Sequence, residues 1–533
     1  MKTLRWLMVA GLLCGPLAAT EYTTLQVTSQ YTREIKADLD TPTTPRSQMF
    51  RFCVGGGRAY ECLNATWQHQ LKQCHDEIGF QYVRFHDLFH EEMGVYAEDW
   101  RGRPHINWQF VDLLLDYLMT VGVKPIINIS PMPRALASGE KYVFWWHANI
   151  TPPKSYKRWA DLITSLMEHL LERYGAHEIN RWYFEVWNKP NLEGYWAGTQ
   201  RDYINLYECT AQTIKSVAPD CRVGGPASAY GGGVEDLIYY CAKNNIPLDF
   251  ITAHAFNTIR LPSEQGAKRA TLDENLHAVA DTVAEVRTMI NGYAPPTLPL
   301  LITEWGISSI THDAVHDAYF TAPFILDQIK RSEGKAEAMS YWTFTDLFQE
   351  RGAVLKPFHG GLGLLNMLGI RKPAYHAYQL LCQLGGQELP HTDKSAWVCT
   401  DGHGSVQVLC WDLSTPAAAG ERLDEELFKQ DLPARYKGQL RLSLRGLKPG
   451  IYTLEVHRIG YEHNDPYTAY LKMGAPEQLT RVQENLLRKV SDGAPVEIAK
   501  VTVANDGVFL RTFVLHENDV WLLNLTPDAP PAP

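Results

Sequence analysis

The chain has 533 residues, 45% of them hydrophobic and 21% charged, enough for one large domain with a smaller companion and without the bias of a disordered segment. A formal net charge of -10, with no basic run interleaved with aromatics, excludes a nucleic-acid partner. Aromatics reach 11%, with 15 Trp and 26 Tyr; that exceeds what a core requires, and exposed rings stacking on sugar faces are one use for the surplus.

At the N-terminus, Lys2 and Arg5 precede an apolar run from Trp6 to Cys14 and then small residues. This is the pattern of a secretory signal peptide over 1–19, cut near Ala19, and it predicts a secreted or periplasmic protein. No second apolar run of spanning length follows, so no membrane span is expected. The next segment, EYTTLQVTSQYTREIKA, alternates apolar and polar residues, and residues 20–40 are assigned to a strand joining the C-terminal sheets. Nine further cysteines lie at positions 53, 62, 74, 209, 221, 241, 382, 399 and 410 without CxxC pairs or His clusters, so neither a metal nor another cofactor is expected. Chain separation permits disulfides within the pairs Cys53/Cys62 and Cys399/Cys410.

From 41 to 385, short apolar runs alternate with amphipathic stretches, the signature of repeated βα units. The strand candidates are residues 50–55, 81–86, 123–130, 181–188, 221–226, 248–256, 298–305 and 337–346. Between them lie helical patterns such as INWQFVDLLLDYLMTVG and SYKRWADLITSLMEHLLERYG, with apolar positions three and four apart. Eight strands with intervening helices predict a (β/α)8 TIM barrel. Residues 386–527 carry alternating runs separated by Gly, Pro, Asn and Asp, which predicts an accessory antiparallel β-sandwich with one helix in APEQLTRVQENLLRKVSDG. Residues 528–533 form a tail.

In a parallel barrel the C-terminal strand ends converge on one mouth. Here those ends supply His86 and Asp87, Asn188 and Lys189, His254, Glu304, and Trp342 with Asp346. Such a set suits a sugar ring: hydroxyls need hydrogen-bonding partners, the ring face an apolar plate, the anomeric carbon a nucleophile. An oligosaccharide or glycoside is the expected partner.

The stretches VRFHDLFHEEMGVY, HANITPPKSYKRWADLI, WYFEVWNKPNL, DFITAHAF, LLITEW and SYWTFTDLFQE resemble glycoside hydrolase family 39, whose activities include β-xylosidase and α-L-iduronidase. The likeness is densest over residues 80 to 385 and extends into the C-terminal part. It implies a retaining mechanism, with two carboxylates about 5–5.5 Å apart. The nucleophile maps onto Glu304, and the acid/base of a WNEPN motif maps onto Lys189. Asn188 matches the asparagine that bonds the sugar 2-hydroxyl, and His254 the histidine facing the same pocket. Two more positions depart from the pattern. Phe256 stands where a tyrosine would bond the nucleophile, and Gln349 replaces one of two carboxylates while Glu350 keeps the other. His86 and Trp342 complete the expected sugar-binding set.

An amine with a reference pKa of about 10.4 stays protonated at neutral pH, so Lys189 is a weak proton donor and no base. A Lys189–Glu304 ion pair is expected. Glu193, in the following loop, is the candidate substitute acid, whereas Glu185 belongs in the barrel interior. The residues thus support an exported β-xylosidase-like hydrolase with an impaired acid/base position. A catalytically silent carbohydrate-binding protein and an α-L-iduronidase-like enzyme are the alternatives.

Overall fold

The computed structural model describes residues 33–262, 268–416, 423 and 426–528. The expected signal peptide 1–19, residues 20–32 of the adjoining segment and residues 529–533 of the tail lie outside the described residues.

Eight parallel strands follow one another around a closed barrel: β1 (Cys53–Arg58), β2 (Tyr82–His86), β3 (Lys124–Ile129), β4 (Tyr183–Val186), β5 (Arg222–Ala229), β6 (Phe250–Phe256), β7 (Leu300–Gly306) and β8 (Ala338–Tyr341). Tyr341 opposite Val54 closes the ring. This is the expected (β/α)8 barrel, with further sheets beside it. The first strand begins at Cys53 rather than at 50, because Met49–Arg51 forms a 3-10 turn. Its glycines are part of the strand. A Cβ on Gly55 would meet the Trp342 ring at 2.4 Å, and one on Gly56 would meet Val83 at 2.8 Å. The eighth strand stops at Tyr341, leaving 342–346 as a loop over the barrel mouth.

The outer helices form where the apolar period predicts. In Tyr156–Tyr174, Trp159, Leu162, Ile163, Leu166, Met167 and Leu170 share one buried face, and Ser155 caps the start by accepting from the Arg158 amide. Each such side chain stabilises the packing by about 1.5–3 kcal/mol, so Leu166→Ala alone would cost about 2–5 kcal/mol.

The C-terminal part packs a seven-stranded sheet against a three-stranded one around Ile35, Leu442, Leu454, Val456 and Leu523. Arg33–Asp38 pairs with Tyr436–Arg445, with Arg33 opposite Leu440, and it runs parallel to it in an otherwise antiparallel sandwich. Alternation of side chains specifies which face is buried but carries no information about direction. Arg33 reaches across to Asp393 at 2.7 Å and to the carbonyls of Trp411 and Ser395, tying this strand to the larger sheet.

All nine described cysteines are free thiols, which corrects both permitted pairings. Cys399 and Cys410 lie on adjacent strands but oppose Gln407 and Ala396, respectively. Burial pushes the thiols of Cys53, Cys399 and Cys410 up to about 12, so each behaves as a small apolar core residue. Among the described residues no helix is long and apolar enough to cross a membrane.

Candidate active site

Glu304 sits near the end of β7, where every residue from Leu300 to Gly306 is buried, and its carboxylate is only 1% exposed. A buried charge requires partners, and Glu304 has them on two sides. From beneath, Arg84 of β2 donates from Nη1 to Oε1 at 2.6 Å. The same guanidinium bonds Glu185 Oε2 of β4 at 2.9 and 2.8 Å and donates to Asn188 Oδ1 at 3.1 Å. Glu185 is completed by Asn128 Nδ2 and Thr303 Oγ1, both at 2.7 Å, and stays in the barrel interior. From the cavity side, Lys189 Nζ approaches Glu304 Oε2 at 2.9 Å, and His254 Nδ1 lies 3.3 Å from the same oxygen.

Burial acts to raise the Glu304 carboxyl, but the Lys189 ammonium and the Arg84 guanidinium facing it outweigh that, and it is held well below the ordinary carboxylate range. For Lys189, burial acts downward, yet Glu304, Tyr195 and Glu350 reverse it and hold the ammonium above its ordinary value. Burial drives His254 well below its usual range, so its imidazole is neutral at pH 7. The pair is therefore a carboxylate against an ammonium, with an uncharged imidazole beside it.

Local backbone geometry holds Lys189 there. Trp187 and Lys189 adopt left-handed φ values of 69° and 52°, each costing about 1–3 kcal/mol for a residue with a Cβ. The surroundings fix them: the Lys189 amide donates to Ala227 O at 2.9 Å, the Trp187 indole donates to Tyr195 O at 3.1 Å, and Trp187 packs edge-on against Trp196. The turn brings the Tyr195 ring to 4.9 Å from the ammonium, a further site for the charge.

Above the pair opens a cavity of about 630 Å³. Of the residues expected from sequence, Lys189, His254, Phe256, Glu304, Trp342 and Glu350 line it. His86 and Asn188 support it from below. His86 stacks on Trp342 with centroids 5.5 Å apart, and Asn188 is bonded to Arg84. Trp342 is seated against the side-chain-free face of Gly55, with Arg84 5.4 Å from its ring. Gln349 is turned away, its amide donating to Met367 Sδ at 3.5 Å, because Phe348 takes the inward position against Trp342. Glu193 is exposed and lines a separate cavity with Trp196 and Tyr203, which removes it from the chemistry at Glu304. Asp87 accepts from the Trp146 indole at 2.7 Å, and Asp346 is buried against Lys372 at 2.7 Å, so both are structural.

Arg84, Tyr195, Tyr230 and Arg351 complete the site beyond the sequence-based set; the first binds Glu304 and the other three line the cavity. Arg84 left one usable signal. It is an arginine inside an apolar run whose neighbours are all barrel-buried, where a lone charge requires a counter-charge. Among the described residues no group of three His, Cys, Asp or Glu is placed to hold a metal ion.

The chain is 36% identical over 476 residues to a beta-xylosidase of Caldicellulosiruptor saccharolyticus, covering 88% of this chain and 93% of that one. It is 31% identical to a beta-xylosidase of Geobacillus stearothermophilus, over 89% and 92% of the two chains. In three dimensions it superposes on the crystal structure of a monomeric beta-xylosidase from Caulobacter crescentus CB15 with a TM-score of 0.88 at 36% identity, covering 93% of this chain and 100% of the other. The model for glycosyl hydrolases family 39 matches residues 33–509, which includes the barrel, the carboxylate on β7 and most of the sandwich, and the chain is a glycoside hydrolase belonging to that family.

Proposed function

We propose that this is an exported, retaining β-xylosidase-like hydrolase of xylo-oligosaccharides, with Glu304 as nucleophile and without a working acid/base at Lys189. One observation carries it: Glu304 lies ionised at the cavity floor, with Oε1 engaged from below by Arg84 and Oε2 on the cavity side. Oε2 attacks the anomeric carbon. His254 Nε2, buried and without a hydrogen-bond partner among the described atoms, accepts from a sugar hydroxyl, and Trp342 is the plate for the ring. The two β-xylosidase relatives, matched over most of both chains, support the xyloside assignment. The pattern of Lys2, Arg5 and the apolar run after them supports export.

An ammonium held above its ordinary value neither protonates a glycosidic oxygen efficiently nor takes a proton from water, and losing that help costs about 10²–10⁴ in rate. The same ion pair favours a second reading, a carbohydrate-binding protein whose nucleophile is permanently occupied. Parallel assays of the parent and Lys189→Glu on xylobiose and on an aryl xyloside with a good leaving group decide between them. The impaired hydrolase accumulates a glycosyl-enzyme at Glu304 from the aryl substrate, and Lys189→Glu gains 10²-fold or more on xylobiose. Sugar binding without any glycosyl-enzyme would establish the binding protein. Equal rates of parent and variant on xylobiose would refute the role given to Lys189.

A further inference from the structure

Resting on the nucleophile reading above, we infer that the cavity handles glycosides whose departing or arriving group at the anomeric carbon is a small oxyanion, a phosphate or a carboxylate, held by Lys189 and Arg351. Both cations line the same cavity above Glu304. Lys189 has 13% of its side chain exposed towards it, while Arg351 is exposed at the rim. A guanidinium and an ammonium around one opening are the groups that recognise phosphate and carboxylate oxygens. Besides Glu304, Glu350 is a carboxylate in the lining, and burial raises it towards the neutral form, which lessens its repulsion of an anion.

The chemistry of the pair leads to the same class. A neutral sugar alcohol must be protonated as it leaves, and water must lose a proton as it attacks; Lys189 does neither well. A phosphate or carboxylate leaves as a stable anion and attacks as one, so neither half-reaction requires an acid or a base. In the first half, a lone pair of Glu304 Oε2 forms a bond to the anomeric carbon. The bond from that carbon to the leaving oxygen breaks, and its electron pair departs with the oxyanion. In the second half, an oxyanion oxygen supplies the electron pair to the anomeric carbon, and the bond to Glu304 breaks to regenerate the carboxylate. With hydrogen phosphate or a carboxylate as the oxyanion, the phosphate ester being singly ionised as it reacts, no proton, oxidant or reductant enters either half.

The anion also solves the problem the ion pair creates. At 2.9 Å from Lys189 Nζ, Glu304 Oε2 is engaged by the ammonium it must leave in order to attack. An oxyanion between Lys189 and Arg351 gives the ammonium a second partner on the cavity side and frees the nucleophile. Lys189 then acts as an anion-dependent latch on Glu304.

The test uses the whole mature chain with a nitrophenyl β-xyloside in inorganic phosphate, in acetate and in chloride at matched ionic strength. Nitrophenolate release and the sugar product are followed, the latter by phosphorus NMR and mass spectrometry. Phosphate or acetate is expected to accelerate turnover at least ten-fold over chloride and to appear as xylosyl phosphate or acetyl xyloside in place of xylose. Whichever anion is consumed identifies the source. Lys189→Met and Arg351→Met are each expected to raise the half-saturating concentration of that anion five-fold or more. A glycosyl-enzyme trapped at Glu304 with no preference for either oxyanion over chloride overturns the inference and leaves the hydrolase reading standing. Unchanged half-saturation in both variants overturns the assignment of the two cations. No glycosyl-enzyme under any anion overturns both readings together.

Discussion

Replacing Arg84 by methionine tests the physical account of the barrel floor. Methionine fills comparable volume but removes the cation that satisfies Glu185, Glu304 and Asn188 at once, all of them buried. Glu304 keeps Lys189 and His254, whereas among the described residues Glu185 keeps the neutral donors Asn128 and Thr303 and no cation. Leaving a buried carboxylate without its cation costs about 3–5 kcal/mol, and loss of the guanidinium beside the Trp342 ring adds about 1 kcal/mol. The expected loss is therefore about 4–6 kcal/mol. Because most of it is the orphaned charge at position 185 and not a lost contact, Arg84→Met/Glu185→Gln should return about 2 kcal/mol or more relative to Arg84→Met. Urea unfolding followed by tryptophan fluorescence, with circular dichroism to locate the barrel transition, measures both differences. A loss below about 1 kcal/mol in the single variant, or a double variant less stable than the single, would refute the reasoning.

The remaining expectations concern titration and the thiols. Glu304 is held below the ordinary carboxylate range and Lys189 above the ordinary lysine range, so neither titrates between about pH 5 and 9, and kcat/KM of the parent on an aryl xyloside should be flat there. Lys189→Glu places two carboxylates together and raises one of them, so the variant's rate should fall on the alkaline side as that group loses its proton; two flat profiles would contradict the pairing. Burial holds the Glu61 carboxyl up to about 7 despite Arg58 at 3.0 Å. A raised acid favours the folded state fully only below its unfolded value, so about 3 kcal/mol of stability drains away between about pH 4.5 and 7. Glu61→Gln should abolish that slope, which urea midpoints across the window would show. Protein purified without reductant and then unfolded should titrate with a thiol reagent at all nine cysteines from Cys53 onward, whereas in the folded protein the seven buried thiols should react slowly or not at all and the half-buried Cys209 and Cys382 sooner.

The barrel was legible because eight apolar runs recur with helical stretches between them, and helix periodicity over 156–174 left little freedom. The first strand slipped by three residues because the apolar run from Phe50 does not show that Met49–Arg51 closes into a 3-10 turn before the strand begins at Cys53. The resemblance put Glu304 and Lys189 beside each other, and their opposite charges then made the contact legible. Arg84 was not singled out, since its role depends on three partners between 101 and 220 positions away in the chain. Gln349 was misplaced because motif counting gives the order of residues in a loop but not which of two neighbours, Phe348 or Gln349, turns inward.

The parallel pairing of Arg33–Asp38 with Tyr436–Arg445 has a consequence for synthesis. Arg33 and Leu440 are 407 positions apart (440 − 33), so at about 5–20 residues per second the early strand waits roughly 20–80 s on the ribosome before its partner exists. All eight barrel strands are translated within that interval, the last ending at Tyr341. The barrel can therefore close while an unpaired β-edge trails from its beginning, and the sandwich becomes the late event that captures it. A nascent chain released before residue 436 carries a nearly finished barrel with one adhesive strand, which is the species a chaperone would have to shield.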